Sequence, residues 1–226
     1  MKGIKRVQAT SGRGRRERLP ITPEILCKLK GVWSSAARDP DTKLIWAACC
    51  LCFFAFLRVG EMTTPDAERY DPAVHLCFSD IAADNPRNPT FLRVSIKQSK
   101  TDPFCRGVNL YVGRTGSDLC PVAALLAYLL CRGSGPGPLF KFASGQYLTR
   151  KRFVESVRTA LAKTDVDQRK YCGHSFRIGA ATTAAAKGVE DSVIKTLGRW
   201  ESVAYLQYVR IPREQLTSYA KVLATP

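Results

Sequence analysis

The sequence predicts a mostly α-helical domain of the α+β class, with one small antiparallel sheet of three strands. Three observations predict it. Helix-start signals recur along the chain, the first at Thr22-Pro23-Glu24, where a capping threonine precedes a first-turn proline and an acid. Two strongly apolar stretches, Leu44–Leu57 and Pro121–Leu130, read as buried helices. Between them, Leu92, Val94 and Ile96 alternate with Arg93, Ser95 and Lys97, the period-two pattern of a half-buried strand. At 226 residues the chain is long enough for one sizeable core.

The elements follow in order. Met1–Arg18 holds seven basic residues against Glu17 and reads as a flexible basic linker, suited to tracking phosphates. It has no apolar core, unlike a secretion signal. Residues 19–226 read as one domain. The first helix is expected from Pro23 to Lys30 or Trp33. Asp39-Pro40-Asp41 reads as a turn, with Asp41 or Thr42 capping a helix that ends near Leu57. That apolar run is shorter than the ~20 residues a bilayer needs, so no membrane partner is expected. Strands are expected at His75–Ala83, Phe91–Lys100 and Phe104–Val112, with Lys100-Thr101-Asp102-Pro103 turning between the last two.

Cys120-Pro121 opens the next helix, and Gly133–Pro138 is loop. Thr149 caps a helix to about Lys163, whose basic start (Arg150, Lys151, Arg152) suits DNA backbone or water equally. Phe176–Lys187 reads as a helix stopped by Gly188, and Asp191–Leu197 as its successor. A last helix is expected from Pro212, with Leu216, Tyr219 and Leu223 along one face.

A formal charge of +16 and a pI near 9.7 point to a polyanionic partner. The nine cysteines show no metal-type spacing, and only His75 and His174 offer imidazoles. Neither zinc nor disulfides are expected, and the chain reads as reduced and intracellular. The acids nearest the motifs below, Glu61 and Asp102, do not form a two-metal carboxylate pair. No cofactor is expected.

The chemistry concentrates between Gly173 and Arg210, GHSFRIGAATTAAAKGVEDSVIKTLGRWESVAYLQYVR. His174 and Arg177 open it; Trp200 and Tyr208, followed at once by Val209-Arg210, close it. Attack of a tyrosine on a phosphodiester needs such a set. Arginine's planar fork matches two non-bridging oxygens, and an imidazole and an indole N–H add hydrogen bonds. The covalent link to tyrosine keeps the bond energy, so no nucleotide is consumed. Upstream, Leu57-Arg58-Val59-Gly60-Glu61 places an arginine and an acid after the apolar helix. Taken alone, Arg58 also reads as a partner for the helix dipole.

In its ordered His-x-x-Arg, Gly-x-Trp and Tyr-Val-Arg pieces, with the Leu-Arg-x-x-Glu box upstream, the chain resembles the tyrosine recombinases of phage-integrase and Cre type. The LGRW and YVR pieces resemble most the recombinases of eukaryotic DIRS, Ngaro and Crypton mobile elements. The resemblance runs from about Leu19 to Val222. It departs from the commoner pattern in carrying Trp200 for a second histidine, and in a Trp200–Tyr208 interval one residue shorter than in some members.

The resemblance implies a recombinase catalytic domain without the N-terminal core-binding domain of full-length members. It implies that Arg58, His174, Arg177 and Trp200 stabilise the transition state and that Tyr208 attacks, with Glu61 in support. Lys100, on the hairpin, would protonate the leaving 5′-oxygen, with Lys97 as its neighbouring competitor. Double-stranded DNA, a DNA-bound homotetramer joined through the C-terminal helix, a free monomer and a nuclear location follow as expectations. A DNA-binding protein that has lost catalysis and a type IB topoisomerase are the alternatives.

Overall fold

The computed structural model describes residues 18–99, 102, 104 and 106–210. Most of the expected basic linker, Lys100 and the helix expected from Pro212 lie outside the described residues. Among the described residues there are seven α-helices and one sheet: α1 (Pro23–Trp33), α2 (Pro40–Phe54), α3 (Val59–Met62), β1 (Ile81–Ala83), β2 (Phe91–Ile96), β3 (Val108–Gly113), α4 (Pro121–Arg132), α5 (Arg150–Leu161), α6 (Gly173–Ala186) and α7 (Asp191–Gly198). A 3-10 turn, Val203–Gln207, leads to Tyr208.

Helix α2 is the centre of the core. From Leu44 onward it is apolar on every side and buried, and it packs against α4 and α6. Its start is Pro40, ahead of the expected cap. The Asp39 carboxylate accepts the Thr42 N–H at 2.7 Å, so Asp39 is the cap. Asp41 is used elsewhere, accepting the Ala143 N–H at 2.7 Å. The helix stops at Phe54 because Phe56 takes a left-handed backbone (φ 51) and turns the chain out. Cys49, Cys50 and Cys52 are free, buried thiols here, and burial pushes their pKa values well up.

The sheet has the order β1-β2-β3, antiparallel throughout. Leu92, Val94 and Ile96 of the middle strand face the core, opposite Val112, Leu110 and Val108 of β3. The first strand is much shorter than His75–Ala83. Residues 75–80 leave the sheet because Leu76 and Cys77 pair with the Gly137–Leu139 loop: the Leu139 N–H donates to the Leu76 carbonyl at 2.8 Å. Asp80 then closes a 3-10 turn by accepting the Cys77 N–H at 2.7 Å. β2 likewise ends at Ile96 rather than at Lys100, and β3 begins at Val108 rather than at Phe104.

Two close approaches fix α6. A β-carbon on Gly173 would sit 2.8 Å from Cγ2 of Val59, and one on Gly179 would sit 1.7 Å from the Ile21 carbonyl oxygen. The Ile21 N–H meanwhile donates to the Ser175 carbonyl at 2.9 Å. The absence of side chains thus lets α6 lie against both α3 and the segment entering α1.

Candidate active site

An open cleft of about 720 Å³ lies where α3, the first turns of α6 and the Val203–Gln207 turn converge. Arg58, Glu61, Arg150, His174, Arg177, Trp200 and Tyr208 all line it. Helix α6 starts at Gly173, three residues before the expected Phe176. Cys172 is extended, and its N–H donates to the Ser175 hydroxyl at 3.0 Å, closing the first turn. His174 and Arg177 therefore share one helical face, three residues apart.

Arg177 is only 1% exposed. Its Nη1 donates to the Phe56 carbonyl at 2.5 Å and its Nη2 to the Gly198 carbonyl, while its Nε has no hydrogen-bond partner among the described residues. The guanidinium lies under Trp200, its Cζ 4.3 Å from the ring centroid, and 5.6 Å from that of Tyr208. Gly198 makes room for this: a β-carbon there would overlap the Trp200 ring at 1.8 Å. Burial, with Arg58 and Arg199 adding repulsion, pulls the Arg177 pKa down to about 10, which leaves it charged at neutral pH.

Glu61 is the hub beside it. Arg199 forks onto the carboxylate, Nη1 to Oε1 at 3.1 Å and Nη2 to Oε2 at 2.8 Å. Nη1 of Arg58 reaches Oε1 at 3.0 Å, and the Arg58 backbone N–H reaches Oε2 at 2.9 Å. Burial alone would raise the carboxyl pKa. The hydrogen bonds and charge of Arg199, then of Arg58, bring it below the ordinary glutamate value.

Tyr208 lines the cleft beside Trp200, their ring centroids 5.0 Å apart. Its backbone is tied to α6 on both sides by one hydroxyl. Thr182 Oγ1 donates to the Tyr208 carbonyl at 3.1 Å and accepts the Arg210 N–H at 3.0 Å. Tyr205 is differently placed. It is buried, its hydroxyl donates to the Asp191 carboxylate, and it lies outside the cleft lining.

His174 is held below its ordinary pKa by burial first, then by Arg18, Arg150, Arg177 and Arg58. It is therefore neutral at pH 7, able to donate from one ring nitrogen. A neutral imidazole, several guanidinium groups, an indole and a phenol around one opening are equipped to hold a phosphate-like anion beside a nucleophilic oxygen.

Solved structures share this arrangement of elements. The chain superposes on XerA recombinase with a TM-score of 0.65 and 17% identity, over 93% of this chain and 67% of that one. It superposes on XerH site-specific recombinase bound to palindromic difH substrate, a post-cleavage complex, with a TM-score of 0.66 and 15% identity. A lambda integrase dimer bound to a COC′ core site gives a TM-score of 0.56 and 17% identity. The chain spans 55% of the XerH chain and 48% of the integrase chain. No family model and no curated protein matches it. This is the fold of the tyrosine recombinase catalytic domain.

Within that recombinase fold, the structure brings together Arg58, Glu61, His174, Arg177, Trp200 and Tyr208, all singled out in the sequence. It says nothing of Lys100, which lies outside the described residues. Lys97 is engaged elsewhere, with Nζ 2.6 Å from Asp80 Oδ2 and 2.7 Å from the Pro72 carbonyl. Three residues around the site carry no assignment in the sequence reading. Arg150 stood there only as a member of a basic helix start, yet it lines the cleft. Arg199 sits inside the LGRW piece, but its role depends on a left-handed backbone that sequence spacing does not show. Thr182 gave no signal among the other small residues of its helix.

Proposed function

We propose that this chain breaks and rejoins DNA through a transient phosphotyrosine. Tyr208 Oη attacks the phosphorus and the bond to the 5′-oxygen breaks, leaving a 3′-phosphotyrosyl link and a free 5′-hydroxyl. The tyrosine gives up its proton and the leaving oxygen gains one, for which Lys100 is the proposed donor. The reverse reaction, with a second 5′-hydroxyl, rejoins the strand. Arg58, Arg177, His174 and Trp200 stabilise the charge that builds on the non-bridging oxygens. Among the described residues, the Nε atoms of Arg177 and Arg199 are buried without a hydrogen-bond partner; that of Arg177, at the cleft, is the sort of donor that a bound phosphate would satisfy.

The observation that carries the reading is the meeting of Arg58, His174, Arg177, Trp200 and Tyr208 at one cleft, on a fold shared with recombinases. DNA is the proposed substrate, in keeping with the charge of +16. We place the chain in a mobile element of a eukaryotic nucleus and assign it four copies on DNA, linked through the segment from Pro212.

Trapping on a suicide substrate built from the element's terminal repeats tests this. Wild type should give a covalent protein–DNA adduct, Tyr208→Phe none, and Tyr205→Phe a reduced but measurable amount. The adduct should survive EDTA, because both oxygens of Glu61, the acid at the cleft, are held by arginines. Loss of the adduct in Tyr205→Phe alone, or rescue of a chelated enzyme by magnesium, would overturn the mechanism. Relaxation of supercoiled DNA without site preference would instead mark a topoisomerase.

A further inference from the structure

Among the described residues, two that are not glycine adopt a left-handed backbone, Phe56 (φ 51) and Arg199 (φ 55). A side chain disfavours that conformation, and isolated cases cluster where function demands them. These two meet. The Phe56 carbonyl accepts from Nη1 of Arg177 at 2.5 Å and from Nη2 of Arg199 at 3.3 Å. The left-handed turn at Arg199 ends α7, sends its guanidinium back to Glu61, and lets the next residue, Trp200, lie over Arg177.

The Glu61 carboxylate thus has two arginine partners of different standing. Its side chain is 5% exposed, that of Arg199 12% and that of Arg58 19%. Arg199 grips both carboxylate oxygens, whereas the Arg58 side chain reaches only one. Arg58 lines the cleft; Arg199 does not, and borders the neighbouring cavity. A buried carboxylate stripped of its only side-chain partner is strongly disfavoured. If Arg58 were that only partner, it could not turn toward an anion without leaving Glu61 unpaired.

We infer that Arg199 is a positioning residue: its fork satisfies Glu61 independently, and so frees Arg58 to turn its guanidinium onto a phosphate in the cleft. The inference rests on the reaction proposed above. Arg199 itself touches neither substrate nor nucleophile. Its side chain also donates to the Phe56 carbonyl, but its effect on Arg58 passes through Glu61, which makes that effect separable from a direct DNA contact.

A double-mutant cycle on the full chain tests it. Arg199→Met should slow single-turnover cleavage by a factor of about 10–100, the range typical of partners that orient a site's primary ligands. The Kd for the duplex should change less than about threefold, since Arg199 is not part of the cleft lining. In a Glu61→Gln background there is no buried charge to hold, so the further loss from Arg199→Met should shrink to within about threefold. Arg199→Lys, which keeps the charge but not the fork, should fall between wild type and Arg199→Met. An equal loss from Arg199→Met in both backgrounds, or a parallel loss of DNA affinity, would overturn the inference in favour of a direct contact. Should Arg199→Met fail to fold, the Arg199→Lys variant carries the same cycle.

A second readout does not depend on cleavage. Inorganic phosphate should shift the Arg58 Nε–H resonance in wild type, and shift it far less in Arg199→Met at the same concentration. An equal shift in both would sink the positioning role even if recombination is observed. Failure of wild type to form any adduct, with the phosphate response as expected, would remove the recombinase reading alone.

Discussion

Among the described residues, Arg177 is the largest side chain that is fully buried, and a buried cation needs partners in place of the water it has lost. Two of those partners are backbone carbonyls and others are aromatic rings, so among the described residues no carboxylate is hydrogen-bonded to this guanidinium, although the charge of Glu61 acts on it from nearby. His174, one helical turn earlier, has a depressed pKa, first through its own burial and then through the charges of Arg18, Arg150, Arg177 and Arg58. In the unfolded chain a histidine takes up a proton near pH 6.5, whereas the folded His174 takes one up only at lower pH. The unfolded state therefore binds more protons, and stability falls as the pH drops through about 6.5, levelling off below the folded pKa. The midpoint of thermal unfolding should decline on acidification in wild type and less steeply in His174→Gln. A phosphate near His174 would reverse the shift, so duplex binding should take up a proton and tighten as pH falls over the same window. Equal slopes for wild type and His174→Gln would show that His174 does not titrate in this way.

At the scale of elements, the glycines of the helices separate two physical effects. Gly179 faces the Ile21 backbone at a distance no β-carbon tolerates, whereas a β-carbon on Gly31 in α1 would meet nothing within 4 Å. Gly31→Ala should stabilise the fold by about 0.5–1 kcal/mol through helix propensity alone. Gly179→Ala gains the same propensity but must push the chain before α1 off α6, and should be net destabilising by about 1–3 kcal/mol. Urea unfolding distinguishes them, and opposite signs are expected. The helices themselves were largely legible, because caps and apolar runs are local signals: Thr149 and Pro23 stand where the sequence puts them. The failures share a cause. Whether His75–Asp80 pairs with the sheet or with the Gly137–Leu139 loop is decided by residues some sixty positions away. The start of α6 was missed because its cap is a cysteine closed by a serine, outside the usual capping-box pattern. The site motifs could be read because they are contiguous. The Arg199–Glu61 pair could not, being 138 residues apart and set by a left-handed turn.

For the whole molecule, the excess of 35 basic over 19 acidic residues is the dominant long-range property. Buried pairs such as Glu61 with Arg58 and Arg199 use little of it. Most of the remainder is available to a polyanion, and neutralising phosphates releases counterions from the duplex. Affinity for DNA should accordingly fall steeply with salt, by about 0.9 in the logarithmic slope for each phosphate contacted. The segment Met1–Glu17 supplies six of the basic residues and one acid, next to an Arg18 whose charge already reaches His174. If that segment tracks phosphates, a chain beginning at Arg18 should bind the same duplex with a slope shallower by several units. Its affinity deficit should then shrink as salt rises, because the lost contacts are the screened ones. Suicide-substrate cleavage at saturating protein should change little, since the cleft residues from Arg58 to Tyr208 remain. Fluorescence anisotropy across a salt series, run with both chains, reads the slope directly. Identical slopes would mean that the basic segment stays off the DNA, and that the duplex is held by the folded domain's own arginines and lysines.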